Sequence, residues 1–319
     1  VLFVSADRVV EATTTVRATD PVPTGVARIG GPGTVSAYPG VAVIDTGIAK
    51  HSELNVQGGW NCLSGPVRSW GDANGHGTHV AGTIAARAND AGVIGVAPGA
   101  PLYAVRVLDR TGSGTWSSVI CGLEWAVRNA NSVKVVNLSL SGGGTDGGDC
   151  GSANGDALHR AVCSAVAAGI TVVVAAGNTG TDIAGSVPAA YDEAITVSAL
   201  ADYDGAAGGT GSPTCGGYGG DDTFAGFSNF ARTEADRAHM LAAPGACIRS
   251  TWLKGGYQTL SGTSMASPHV AGAAAVLLAA TPGLSPAAVR DALRGSGEAL
   301  GAGHLDPRGL NPEPLLRRP

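Results

Sequence analysis

The sequence predicts an α/β domain, a mostly parallel sheet covered by helices on both faces. Three observations carry that expectation. Short, continuous apolar runs such as Val41-Ala42-Val43-Ile44 are of the kind buried on both faces of a parallel sheet. Longer segments with helical spacing lie between them, and alternation of the two implies crossover connections. The chain has 319 residues, 44% hydrophobic and only 14% charged, which is ample for one large core. No linker separates two compositions and no repeat is visible, so one principal domain is expected.

Taken in order, Val1–Val10 is strand-like and leads into a Thr-rich link ending near Asp20. Gly30-Gly31-Pro32-Gly33 is loop. The run Val41–Ile44 ends in Asp45-Thr46-Gly47, and an acid at the carboxyl end of a buried strand is where α/β sheets place functional groups. An isolated Asp-Thr-Gly is also an ordinary turn. Next, Asp72-Ala73-Asn74-Gly75-His76-Gly77-Thr78-His79-Val80-Ala81-Gly82-Thr83 reads as loop running into helix. Glycines flanking His76 leave room for another group to approach. His76 and His79 are three apart, so a zinc pair is one reading, although H-E-x-x-H is absent. The other reading of His79 is a hydrogen-bonded core histidine.

Leu102–Val107, Val133–Leu138, Thr171–Ala176 and Ala194–Ser198 read as buried strands. Ser117–Asn129, Asp156–Ala168, Met265–Ala280 and Pro286–Arg294 read as helices, the last opening on a Ser285 cap and an N1 proline. Before Met265, Gly262-Thr263-Ser264 delivers a serine to the start of an apolar helix. There the first N–H groups are unpaired and the dipole is positive, which suits an oxygen that must become negative. A serine in such a place is also a common N-cap.

Composition removes several function classes. The net charge of −5 argues against nucleic acid or an anionic membrane as partner, and no run approaches about 18 uninterrupted apolar residues. Neither a Walker A motif nor G-x-G-x-x-G opens a helix after a strand, and G-x-S-x-G is missing. Six cysteines without C-x-x-C spacing favour disulfides in an oxidising compartment over a zinc ribbon, with 15 pairings possible; scattered reduced cysteines are the alternative.

An acid, a histidine and a serine therefore stand in that order, each on a glycine-bearing turn. A serine hydroxyl is a weak nucleophile near neutral pH. It needs a base to take its proton, and the base needs a partner that holds its ring and stabilises the imidazolium. The segments Val43–Gly47, Asn74–Thr83 and Gly262–Gly272 resemble the three signature motifs of the subtilisin-like serine peptidases, with similarity from about Ser36 to the last helix.

The resemblance implies a three-layer sandwich and a secreted, monomeric serine endopeptidase acting on protein or peptide substrates, with no catalytic cofactor. It assigns Asp45 as orienting acid, His76 as general base and acid, Ser264 as nucleophile and Asn178 as oxyanion donor. It places an extended substrate between Ser139-Leu140-Ser141 and Ser113-Gly114-Thr115. Trp116 would line a distant apolar subsite, Ala175-Ala176-Gly177 one wall of the main pocket and Gly185-Ser186 its floor. No acid among these favours Lys or Arg. The family's calcium loop corresponds to Arg87–Val93, with oxygens from Arg87, Asn89, Ala91 and Val93 and an acid at Glu53. At a second family calcium position the acid is replaced by Met240. Resemblance to secreted relatives pairs Cys62–Cys121, Cys150–Cys163 and Cys215–Cys247.

By the same resemblance, residues 1–20 would be a remnant of an inhibitory propeptide plus linker and 21–319 the catalytic domain. A start at Val1 without Met fits a processed chain. Asn137-Leu138-Ser139 matches a glycosylation acceptor but lies in a strand leading to the cleft, so it is expected to be unmodified. A catalytically silent relative that binds peptide strands in the same groove is the alternative, distinguished by loss of a catalytic position.

Overall fold

The computed structural model describes residues 22–319, so the expectations for Val1–Asp20 fall outside the described residues. In chain order the elements are α1 (Thr24–Arg28), β1 (Gly40–Asp45), β2 (Val56–Asn61), α2 (His76–Ala85), β3 (Leu102–Arg106), α3 (Trp116–Arg128) and β4 (Val133–Leu138). Then come β5 (Gly142–Gly143), α4 (Ala157–Ala167), β6 (Thr171–Ala175), β7 (Ser186–Val187), β8 (Ile195–Ala201), β9 (Thr223–Phe224) and α5 (Glu234–Ala238). The last are β10 (Met240–Pro244), the hairpin β11 (Ile248–Thr251) and β12 (Tyr257–Leu260), α6 (Thr263–Ala280) and α7 (Pro286–Gly295).

Seven parallel strands run in the order β10-β8-β6-β4-β1-β3-β2, and β9 adds antiparallel to β8. Strand residues alternate between two helical layers, as the pleat requires. Val41, Val43, Val135, Val173 and Val197 pack with Val80 and Ile84 of α2 and Val270 and Ala274 of α6. Ile44, Val105, Val136 and Val174 face the other way, onto Val119 and Leu123 of α3 and Leu158 and Val162 of α4. The result is the three-layer α/β sandwich expected from sequence.

Local chemistry fixes most helix starts. Thr115 caps α3 with its hydroxyl on the Ser118 N–H, which places the start one residue before the expected Ser117. Asp156 caps α4 and Ser285 caps α7, whose second signal is Pro286 at N1. Helix α6 begins at Thr263 rather than Met265, because the Met265 N–H already bonds the Gly262 carbonyl at 3.0 Å. Ser264 thus lies inside the first turn. Helix α6 is apolar all round and is the one described helix long and apolar enough to cross a membrane; here it fills the core between sheet and α2. Strands β2 and β10 and the β11–β12 hairpin were not expected. Gln57-Gly58-Gly59 in β2 breaks any apolar run, and β10 is a five-residue, alanine-rich segment.

All six cysteines are paired, as Cys62–Cys121, Cys150–Cys163 and Cys215–Cys247, with Cα separations of 5.9, 5.8 and 5.7 Å.

Candidate active site

The carboxyl ends of β1, β4 and β6 and the N-termini of α2 and α6 meet at one edge of the sheet. Asp45 is the last residue of β1, the strand between β3 and β4, and is 0% exposed. Its carboxylate accepts the Thr46 N–H at 2.7 Å and faces His76 Nδ1 at 2.8 and 2.9 Å. A buried carboxylate needs such partners.

His76 is the first residue of α2. Gly75 precedes it at φ 110°, a left-handed conformation that glycine adopts freely, and Trp252 occupies the space where a Cβ would sit. Asp72 builds the turn: one carboxylate oxygen accepts from the Asn74 and Gly75 N–H groups, the other from the Thr78 N–H and hydroxyl. Burial acts to lower the His76 pKa, but the Asp45 charge and hydrogen bond, with Asp72 behind them, outweigh it and raise the pKa above the ordinary value. The imidazole keeps 26% of its side-chain surface in solvent, enough to meet a reactant.

His79 goes elsewhere. Its Nε2 bonds the carbonyls of Ile248 and Gln258 at 3.0 and 3.1 Å, and burial pushes its pKa down to about 3. The two histidines therefore serve different partners, which disposes of the zinc pair. The sequence pointed to this core role, since H-E-x-x-H is absent, although the spacing of the two histidines also permits a metal pair.

Ser264 is the second residue of α6, and its hydroxyl donates to the Ser139 carbonyl at 3.2 Å. Ser139 lines the same cleft as His76. In this rotamer the serine is satisfied by the neighbouring strand end rather than by the imidazole. Catalytic hydrogen bonds often tighten only in the substrate complex. Asn178 follows β6, and its Oδ1 accepts the Thr263 N–H at 2.8 Å and the Thr263 hydroxyl at 2.9 Å. Asn178 is exposed as a residue, and with its amide oxygen so engaged, Nδ2 is the end left to donate.

The cleft has a volume of about 790 Å³ and is lined by His76, Asn74, Leu108 and Val119 together with the expected Ser113, Gly114, Thr115, Trp116, Ser139, Leu140 and Ser141. Its two rims are the 113–116 segment, which returns against Leu108, and the segment joining β4 to β5. Trp116 lies across Gly142, whose missing Cβ would fall 2.4 Å from the indole Cζ2.

The expected wall residues Ala175, Ala176 and Gly177 are buried at the carboxyl end of β6. The Ala176 side chain is 0% exposed and, just past the end of β6, packs with Ile183, Ala189 and Met240. Gly177 instead holds its N–H on the Thr263 hydroxyl at 3.1 Å. Ser186 pairs with Gly143 in a short antiparallel ladder beside the cleft.

Three positioning residues escaped the sequence reading. Asp72 was visible only as part of a motif, although an acid three residues before Gly75 is the signature of a side-chain-built turn. Thr46 accepts the Gly77 N–H at 2.9 Å and ties β1 to α2. Asn229 bonds the N–H groups of Thr179 and Thr181 and the Ala176 carbonyl, holding the loop that carries Asn178. It is about 50 residues away in sequence, and no local signal identifies it.

For the calcium loop, Glu53 is 1% exposed and accepts from the Val93 N–H at 3.2 Å and from the Tyr257 hydroxyl. Among the described residues no cationic side chain pairs with it. A buried carboxylate with only neutral partners, set against a loop with Gly92 at φ 70°, fits an oxygen-ligated cation. Arg87, Asn89 and Ala91 are exposed at that loop. The second family position does not fit. Met240 is buried, its carbonyl accepts from Arg294, and the Ala189 carbonyl is taken by Thr196 and His239. Asn137 is 0% exposed and bonded to Ser139, so its acceptor motif is shielded.

Comparison with known proteins gives a consistent result. The subtilase family pattern matches residues 38–308. The chain is 42% identical over 274 residues to subtilisin DY of Bacillus licheniformis, covering 85% of this chain and 87% of that one. It is 41% identical over 296 residues to subtilisin Savinase of Lederbergia lenta, covering 91% and 96%. Among solved structures it is similar to a cold adapted subtilisin-like serine proteinase, with a TM-score of 0.72 and 31% identity over 93% of this chain and 98% of that one.

Proposed function

The chain belongs to the subtilase family and is a subtilisin-like serine endopeptidase, and from that premise we propose that Asp45, His76 and Ser264 carry its reaction. The observation that carries the assignment is the 2.8 Å bond from His76 Nδ1 to buried Asp45, at the same sheet edge as Ser264. With Nδ1–H held by Asp45, Nε2 is the basic nitrogen. A rotation of the Ser264 hydroxyl away from the Ser139 carbonyl offers its proton to Nε2 as the oxygen attacks the scissile carbonyl. The oxyanion is met by Asn178 Nδ2 and the Ser264 N–H at the positive end of α6. His76 then passes the proton to the leaving amine, and water attacks the acyl-enzyme by the same route in reverse.

Substrate enters as an extended strand between Ser139–Ser141 and Ser113–Thr115, bonded through its main chain, with Trp116 beside an apolar subsite. Three disulfides favour an oxidising, extracellular location. Glu53, with side-chain or carbonyl oxygens of Arg87, Asn89, Ala91 and Val93, would hold a structural calcium ion that neutralises the buried carboxylate. Catalysis needs no cofactor in this scheme.

The test is covalent. A fluorophosphonate should label Ser264 in wild type, and His76→Ala should abolish labelling without unfolding the protein. Folded wild-type protein that resists the reagent would instead favour a silent peptide-binding protein.

A further inference from the structure

A second cluster of oxygen ligands lies away from the cleft, in the loop between β8 and β9. We propose that Asp202, Asp204 and Asp221 bind a calcium ion there, separate from the loop at Glu53. One carboxylate oxygen from each of the three lies within 4.8 Å of the others. Calcium–oxygen distances of about 2.3–2.6 Å allow oxygens on one ion to stand about 4.6–5.2 Å apart at most, so all three can reach a single ion.

The independent observation is Asp202. Its side chain belongs to a residue 0% exposed; Oδ1 accepts the Gly205 N–H, but Oδ2 has no hydrogen-bond partner. A buried, unpaired carboxylate oxygen is costly unless a cation or a proton meets it. Asp221, also buried, has both oxygens on backbone N–H groups, of Tyr203 and Gly211, at 2.7 Å each. Those bonds orient the carboxylate without neutralising it.

The nearby cation is already committed. Arg28 bonds Asp222 at 2.6 Å and Glu298 at 2.8 Å, and among the described residues no cationic side chain pairs with Asp202, Asp204 or Asp221. Burial above all, with smaller contributions from the Asp222 and Asp221 charges and against the Gly205 N–H and the Arg28 charge, pushes the Asp202 carboxyl up to about 7. The donor set holds no sulfur or imidazole, which favours a hard cation over zinc. The loop is well placed to transmit the effect to stability: Cys215 within it is bonded to Cys247 beside β11, and Asp222 is bonded to Arg28 of α1. Binding would therefore tie three separated segments together.

The experiment uses full-length protein inactivated with a sulfonyl fluoride, or by Ser264→Ala, stripped with chelator and titrated with calcium chloride by calorimetry. Thermal melts are run with and without the ion. Asp204 is exposed, so Asp204→Asn should fold. It should weaken one calcium-binding event at least tenfold and reduce the calcium-induced rise in Tm, while its Tm in chelator stays near that of the parent. Asp202→Asn should do the same and, by removing the buried charge, should melt no lower in chelator. Glu53→Gln serves as the control for the other loop and should retain the event that Asp204→Asn weakens. Isotherms and calcium-dependent melts of Asp204→Asn that match the parent would overturn the proposal. So would loss of all calcium response in Glu53→Gln. Magnesium chloride should bind at least tenfold more weakly; equal binding would refute the assignment to calcium.

Discussion

The Ser139 hydroxyl donates to the Ser264 carbonyl at 2.8 Å. In an uninterrupted helix that carbonyl would accept the N–H four residues on, but position 268 is proline and has none. Ser139 supplies the missing donor from the end of β4, and its oxygen is in turn bonded by Asn137 and Ser267. Through Pro268 the sequence opens a gap in the helix, and the gap locks the Ser264 backbone to the rim of the cleft.

Ser139→Ala should therefore cost about 1–3 kcal/mol of stability, since it strands buried polar groups. Pro268→Ala restores an N–H for the Ser264 carbonyl, so the double variant should recover part of that loss. A denaturant double-mutant cycle measures it, and strictly additive effects would show that the Ser139 bond is not filling the proline's gap.

Asn178→Ala should lower kcat about 10²–10³-fold with little change in KM, the range known for removal of this donor in subtilisin itself. Steady-state kinetics on a peptide anilide separate the two constants. An unchanged kcat would place the oxyanion elsewhere.

The pH dependence of activity follows from His76, which must be neutral to take a proton. Its pKa is raised above the ordinary 6.5 by Asp45 and Asp72 despite burial, so kcat/KM should fall as pH drops through a midpoint above 6.5. Asp72→Asn should move that midpoint down. A midpoint below 6.5 in wild type would contradict the electrostatic reading.

Acid stability should be governed in part by two other histidines. Burial pushes His79 to about 3 and His269 to about 4. Between these values and about 6.5 the unfolded chain binds more protons than the native one, so stability falls as pH falls across that window. Each contributes a slope of up to about 1.4 kcal/mol per pH unit. Equilibrium unfolding at pH 4.5 and 6.5 checks the sign; equal stability at both would sink it.

Cys215–Cys247 closes a segment with a sequence separation of 32 residues. Chain-entropy arguments give its removal a cost of roughly 3–4 kcal/mol. The Cys215→Ala/Cys247→Ala pair should melt correspondingly lower, as calorimetry would register. An unshifted melt would mean that the loop is held by its other contacts.

The sequence by itself determined the layered α/β architecture, and its resemblance to the subtilisin-like motifs pointed to Asp45, His76, Asn178 and Ser264. Apolar runs, caps and glycine-bearing turns are local signals, and these residues all sit beside such signals. Tertiary structure decided what local chemistry leaves open. It sent His79 to the carbonyls of β11 and β12 and turned Ala176 into the core. It also used Asn229 to brace the Asn178 loop and gave the Ser264 carbonyl to Ser139. Each of those outcomes depends on a partner dozens of residues away or more, and a period of two or of 3.6 residues carries no record of which distant group will arrive to complete a hydrogen bond.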